Sequence, residues 1–290
     1  MDVHAGTLAA VDEPLYCYRH PNRETRLACS ECDRPICTEC MHHAPVGIRC
    51  PEHANVGAVK PSAARTVRQV KGNITRHGAP VTATLVGINV LVYLVTVAQG
   101  GGLNLPGGKI FEKGLLVGVL VGHGDYWRLF TVMFLHGSVL HIAFNMFALW
   151  WLGSIVEQMI GPVRFLLVYL SSGLAGSAGA LFVSGLYTPT VGASGAIFGI
   201  MGALLILEFM QTGSLAGQAM SMIMINLFLS FTIAGISIGG HIGGLIGGVA
   251  CTFALAKTRY MQPRWIGPAL VVGVGVVSVA LAIARAKGTI

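Results

Sequence analysis

The stretch VGASGAIFGIMG, Val191 to Gly202, decides how the rest of the chain is read. It opens a long apolar segment, yet it sets a hydroxyl, Ser194, among glycines and alanines. A serine in a membrane helix can return its hydrogen bond to the preceding turn of its own backbone, and is then chemically inert. Its meaning depends on which other polar groups lie at the same depth.

Depth has meaning here because the composition is that of a membrane protein. Of 290 residues, 53% are hydrophobic and only 11% charged, against about a quarter charged in soluble domains. Mean hydropathy is +0.68. Glycine is in excess, at 39 residues, and small residues let membrane helices approach closely. Apolar segments near 81–98, 138–157, 162–183, 193–211, 218–236, 240–256 and 266–285 approach or reach the ~20 residues needed to cross a bilayer. The sequence thus predicts an all-α polytopic protein with seven spans.

Charge sets the orientation. A linker at 56–79 carries Lys60, Arg65, Arg68, Lys71 and Arg76 and no acid, which places the N-terminus in the cytoplasm. Arg164 after span 2 and Lys257, Arg259 and Arg264 after span 6 agree, whereas Arg285 and Lys287 after span 7 do not. The net charge of +7 is therefore a matter of topology, and no nucleic-acid partner is expected. The opening MDVHAGTLAAVDEP has neither a basic nor an apolar signal region, so a cleavable signal peptide is not expected. The connection at 99–137 is too long for a turn, and long ordered connections are often functional.

Residues 1–55 form a polar, cysteine-rich head. Four ligand pairs recur with two-residue spacers: Cys17 and His20, Cys29 and Cys32, Cys37 and Cys40, Cys50 and His53. Six thiolates and two imidazoles fill two tetrahedral zinc sites. A reducing compartment would favour metal over disulfides. His42 and His43 break the spacing and are not expected to be ligands. The alternating pairs resemble a B-box-type zinc finger. That resemblance implies cross-bracing, with Cys17, His20, Cys37 and Cys40 on one ion and Cys29, Cys32, Cys50 and His53 on the other. With every position filled by protein, the zinc ions would be structural, replacing a core in a segment too short to fold alone. Docking of a protein partner is a further role open to the head.

Spans 2, 4 and 6 all begin on the outer side, with His141, Ser194 and His241 at or near those ends. Ionisable groups at membrane depth are costly and usually functional. Serine with an adjacent imidazole suits nucleophilic catalysis, in which a base removes the hydroxyl proton. Gly195 and Gly199 on one helix, and Gly240, Gly244 and Gly248 on the other, form small-residue faces that would bring the two backbones together. A third, acidic member is not expected. Glu208 lies fourteen residues beyond Ser194, roughly 21 Å along a helix, and Glu157 lies sixteen beyond His141, so both belong at the cytoplasmic side. Only Asp125 and Glu112 of the first outer loop are left as acidic candidates. His141 and Asn145, spaced i, i+4, share a helix face and can donate to a developing oxyanion, as can the backbone N–H of Ser194.

The segments GASGAIFG, HGSVLHIAFN and GGHIGGLIGG together resemble the motifs of rhomboid intramembrane serine proteases, over roughly residues 80–257. The resemblance implies a six-helix core that cleaves transmembrane or membrane-adjacent segments of other proteins. It assigns the dyad to Ser194 and His241, and oxyanion support to His141, Asn145 and Gly192. No catalytic cofactor is implied. Trp127 and Arg128 match the family's Trp-Arg pair that shapes the first loop, and Glu157 matches a carboxylate that holds helices together. Phe198 stands where many members have a tyrosine beside the catalytic histidine. Residues 258–290 would then supply an additional membrane helix. The rival readings are an inactive rhomboid-like protein that binds membrane clients, and a proton-coupled transporter using His141 and His241. The first usually lacks a dyad residue, and the second would call for acidic partners at midplane. The expected setting is a multi-pass protein of the bilayer, the plasma membrane if the source is prokaryotic, with its site open to the outer side.

Overall fold

The structure, a computed structural model, describes residues 15–43, 47–54 and 78–290. Most of the basic linker, 55–77, lies outside the described residues. The chain divides into two compact units, Met1–Lys71 and Gly72–Ile290.

In the small unit, strands β1 (Tyr16–Cys17) and β2 (His20–Glu24) pair antiparallel, as do β3 (His42–His43) and β4 (Ile48–Arg49), followed by the short helix α1 (Pro51–Ala54). Its interior is made of Cys17, Cys29, Cys37, Cys40 and Cys50 around Ile36, the one large aliphatic side chain buried there among the described residues. Such an interior buries too little apolar surface to offset chain entropy unaided.

The large unit is helical. It begins with α2 (Pro80–Gln99), followed by the first-loop helices α3 (Gly108–Gly114), α4 (Gly118–Gly122) and α5 (Arg128–Thr131). Next come α6 (Val139–Ala148), a π-helical stretch at Leu149–Gly153 and α7 (Ser154–Ile160), which run on as one rod. The remaining helices are α8 (Pro162–Val183), α9 (Ser194–Thr212), α10 (Gln218–Thr232), α11 (Ile238–Lys257) and α12 (Ile266–Ala286).

Among the described residues, six helices are long and apolar enough to cross a membrane. The span expected at 218–236 is different: its helix, α10, ends at Thr232 after 15 residues, short of a full crossing. The apolar sequence continues, but the backbone turns at Gly235, whose φ is +84°. Hydropathy cannot detect such a turn.

Local chemistry fixes the helix ends that matter for the site. Pro80 and Pro162 occupy first-turn positions, where a missing N–H costs nothing. Ser138 caps α6 by accepting from the His141 N–H at 3.2 Å, and Ser237 caps α11 by accepting from the Gly240 N–H at 3.2 Å. Both histidines are thereby held in the first turn of a serine-capped helix.

Helix α8 is the buried centre, with Phe165, Tyr169 and Ser172 fully enclosed, and it packs on α9, α11 and α12. The α9–α11 contact is backbone on backbone. A Cβ on Gly244 would overlap the Gly195 carbonyl oxygen, and one on Gly248 would overlap that of Gly199. These are the two glycine faces read from the sequence.

Candidate active site and metal centres

Ser194 is the first residue of α9, and the preceding residues Gly192 and Ala193 turn the chain into it. The first amide of this helix to find an intrahelical carbonyl is that of Ile197, which bonds to Ala193 at 3.0 Å. The N–H groups of Ser194, Gly195 and Ala196 have no carbonyl a turn behind them to bond. Gly192 has φ +130°, a region L side chains rarely adopt. A Cβ placed there would lie 2.8 Å from His141 Nε2, 3.0 Å from its Cε1 and 3.6 Å from Ser194 Oγ. The imidazole edge of His141 and the Ser194 hydroxyl thus converge on one small space that only glycine leaves open.

Proton positions at His141 follow from its partner. The Gly137 N–H donates to His141 Nδ1 at 3.4 Å, so in the neutral ring the proton sits on Nε2, the nitrogen facing Gly192 and Ser194. His141 is consequently a donor toward that space. Asn145 Nδ2 donates to the His141 carbonyl at 3.0 Å, which uses one amide hydrogen and leaves the other. Behind His141 stands His136, fully buried, with the two rings edge to face at 5.1 Å.

His241 reaches the site from α11. Its ring stacks on Phe198, one turn along α9 from Ser194, with centroids 4.1 Å apart and planes inclined by 20°. The absent tyrosine hydroxyl therefore does not prevent ring packing. The expected hydrogen bond between Ser194 and His241 is not formed, and the Ser194 hydroxyl makes no hydrogen bond among the described residues. Such contacts are often long in unliganded enzymes and tighten when substrate binds. The contact His241 does make was not foreseen: its Nδ1 lies 2.6 Å from the hydroxyl of Ser230 on α10. Helical serine gives no sequence signal of that kind, because the pairing arises only when α10 packs on α11.

The carboxylates lie elsewhere. Asp125 pairs with Arg128 at 2.9 Å, and Arg128 also donates to the carbonyls of Glu112 and Leu115 at 2.8 Å each. Trp127 Nε1 donates to the Lys113 carbonyl at 3.0 Å, so the Trp-Arg pair ties α3 to α5 within the first loop. Glu157 accepts from the N–H groups of Val81 and Thr82 and from the Thr82 hydroxyl, capping α2 from a different helix. Glu208 accepts from the N–H groups of Gln218 and Ala219, capping α10 in the same way.

In the small unit, the ligand atoms of Cys17, His20, Cys37 and Cys40 lie within 4.8 Å of one another, as do those of Cys29, Cys32, Cys50 and His53. These are the two groups that cross-bracing implies. Tetrahedral zinc with Zn–S near ~2.3 Å and Zn–N near ~2.05 Å requires S···S edges of about 3.8 Å and S···N edges of about 3.5 Å. The Cys32–Cys50 sulfurs are 3.9 Å apart; the sulfurs of Cys37 and Cys40 are each 3.4 Å from His20 Nδ1, and that of Cys29 is 3.6 Å from His53 Nδ1. Burial raises the Cys17 thiol, but hydrogen bonds from the Cys37 and Arg19 backbone and from His20 outweigh it and bring it to about 6. Burial opposes ionisation of Cys29 too, but backbone bonds from Cys50 and Glu31 and the His53 ring bring it to about 5. The lowered thiols favour the thiolate, the form that ligates metal, whereas burial and the neighbouring Cys17 and Cys37 sulfurs push the Cys40 thiol up to about 11. The donor sets fit zinc. His42 and His43 are exposed on β3 and belong to neither group.

Comparison with known proteins agrees with this architecture. Residues 123–258 match the Rhomboid domain family. The rhomboid protease GluP of Bacillus subtilis (strain 168) is 36% identical over 216 residues, covering 72% of this chain. The B. subtilis protein YdcA is 37% identical over 144 residues, covering 48% of this chain and 72% of YdcA. Rhomboid-like protease 1 of Toxoplasma gondii is 30% identical over 206 residues, covering 65% of this chain and 68% of that protein. The chain belongs to the rhomboid family and is an integral multi-pass membrane protein. It spans 42% of the length of GluP.

Proposed function

We propose that the protein is an intramembrane serine endopeptidase that cuts transmembrane or membrane-adjacent segments of other proteins. Ser194 is the nucleophile and His241 the base. The hydroxyl oxygen attacks a substrate carbonyl carbon as its proton passes to the imidazole. The negative charge that develops on the carbonyl oxygen is met by the His141 Nε2–H, the free amide hydrogen of Asn145 and the Ser194 N–H at the opening of α9. The imidazolium then gives its proton to the departing amine, the C–N bond breaks, and an ester to Ser194 is left. Water, deprotonated by the same imidazole, cleaves that ester and restores the hydroxyl.

The observation that carries this reading is the convergence of the Ser194 hydroxyl and the His141 Nε2 edge on the gap at Gly192, with His241 stacked one turn away. The names of GluP and the Toxoplasma relative add weight. The N-terminal unit is proposed to hold two structural zinc ions, one on each Cys/His group, and to face the cytoplasm, with the catalytic site opening on the opposite side. The test is cleavage of a fluorogenic transmembrane substrate by purified protein. Wild type should cut, and Ser194→Ala and His241→Ala should not; equal cleavage by wild type and Ser194→Ala would end the protease reading. An inactive client-binding protein would predict no cleavage by any of the three.

A further inference from the structure

The unforeseen partner of His241 has a chemical consequence, which rests on the reading of His241 as base. Ser230 is 3% exposed and His241 7% exposed, so neither can exchange its partner for bulk water. The Ser230 hydroxyl stands 2.7 Å from the carbonyl oxygen of Asn226, four residues back in α10, and 2.6 Å from His241 Nδ1. A hydroxyl has one proton and two lone pairs. Two oxygens 2.7 Å apart repel unless a proton lies between them, and the carbonyl has none to give, so the hydroxyl proton goes to Asn226, the usual back-bond of a helical serine. The oxygen is then left as an acceptor facing Nδ1, and that contact is satisfied only if Nδ1 carries a hydrogen.

We propose that Ser230 is a positioning residue that fixes the tautomer of His241, holding the proton on Nδ1 so that the lone pair for proton abstraction resides on Nε2. In the opposite tautomer, Nε2 would already be protonated and could only donate toward Ser194. Nothing need move during turnover. When Nε2 takes the Ser194 proton, Nδ1–H continues to donate to Ser230, and when that proton leaves with the amine, the starting tautomer is restored. A neutral hydroxyl thus fills the orienting place that a carboxylate fills in three-residue sites, which accords with the engagement of Asp125, Glu157 and Glu208 elsewhere.

Two measurements test this on the full-length protein. In kinetics, Ser230→Val removes the hydroxyl while Ser230→Thr, of the same shape, keeps it. Val should lower kcat about 10- to 100-fold with little change in KM, and Thr should recover most of the loss. In ¹⁵N NMR of histidine-labelled protein, with His241 assigned by its loss in His241→Gln, wild type should show a protonated Nδ1 and an unprotonated Nε2, and Val should show a mixture. Equal kcat in Val and Thr, or a wild-type His241 carrying its neutral-state proton on Nε2, would overturn the proposal. The wild-type tautomer is read without turnover, so it decides the matter even if Val fails to fold. Failure of the protease reading shows separately, as cleavage that survives Ser194→Ala.

Discussion

Removing the Glu157 carboxylate should loosen the first membrane helix from the rest of the bundle, by an amount the structure sets. Helix α2 has no side-chain cap of its own, since Ala79 precedes it and Pro80 opens it. Its first free amides are satisfied by Glu157, at 3.0 Å from the Val81 nitrogen and 2.7 Å from that of Thr82, with the Thr82 hydroxyl also at 2.7 Å. Thr82 is fully buried and Glu157 is 2% exposed. Glu157→Ala leaves the two buried donors of Thr82 and the half-buried Val81 N–H without an acceptor, at about 1–3 kcal/mol for each buried one, and removes a negative charge from a helix N-terminus. Allowing for water entering the space left behind, the loss is about 3–5 kcal/mol. For a unit of this size each kcal/mol is worth about 2–4 °C, so Tm should fall by roughly 6–20 °C. Thr82→Val, which removes the hydroxyl alone, should cost about 1–2 kcal/mol in the wild type and almost nothing once Glu157 is gone. Thermal unfolding of the four proteins in one detergent completes the cycle. A Glu157→Ala shift under about 2 °C, or strictly additive effects, would refute the cap.

Gly192→Ala should lower kcat about 100-fold while the fold persists, because a methyl there both strains the backbone at φ +130° and displaces His141 Nε2; unaltered kinetics would contradict the convergence at that position. Gly244→Val should abolish cleavage and lower Tm, since its side chain must push α11 away from the Gly195 carbonyl; circular dichroism melts alongside the cleavage assay would reveal a harmless substitution. Elemental analysis should find two zinc ions per chain, one in Cys17→Ser or Cys29→Ser and none in the double variant. Loss of both ions in either single variant would argue against two independent sites.

The membrane helices were legible because hydropathy and length measure burial in lipid directly. Five of the expected spans match a helix end to end within a residue or two, and that at 138–157 belongs to a rod continuing to Ile160. The two Cys/His groups were legible because ligand identity and spacing leave few pairings, and the resemblance to a known finger supplied the crossing. The short helices of the first loop were not, since four to seven residues are too few to show a period. Nor was the end of α10 at Thr232, which depends on a backbone turn inside apolar sequence. The serine caps of α6 and α11 could have been read, as serine precedes each histidine at first-turn spacing. The helix-holding role of Glu157 was legible only through the family resemblance, the pairing of Asp125 with Arg128 depended on its tertiary setting, and Ser230 gave no local signal at all.

The central claim is that the hydroxyl of Ser194 is a nucleophile made reactive by His241. The most direct measurement is peptide mapping by mass spectrometry after exposure of the folded protein to a fluorophosphonate, which loses fluoride as the serine oxygen bonds to phosphorus. Wild type should carry a single phosphonyl adduct, on Ser194, and His241→Ala should carry far less of it. An unmodified Ser194, or an adduct formed equally fast without the imidazole, would contradict the claim.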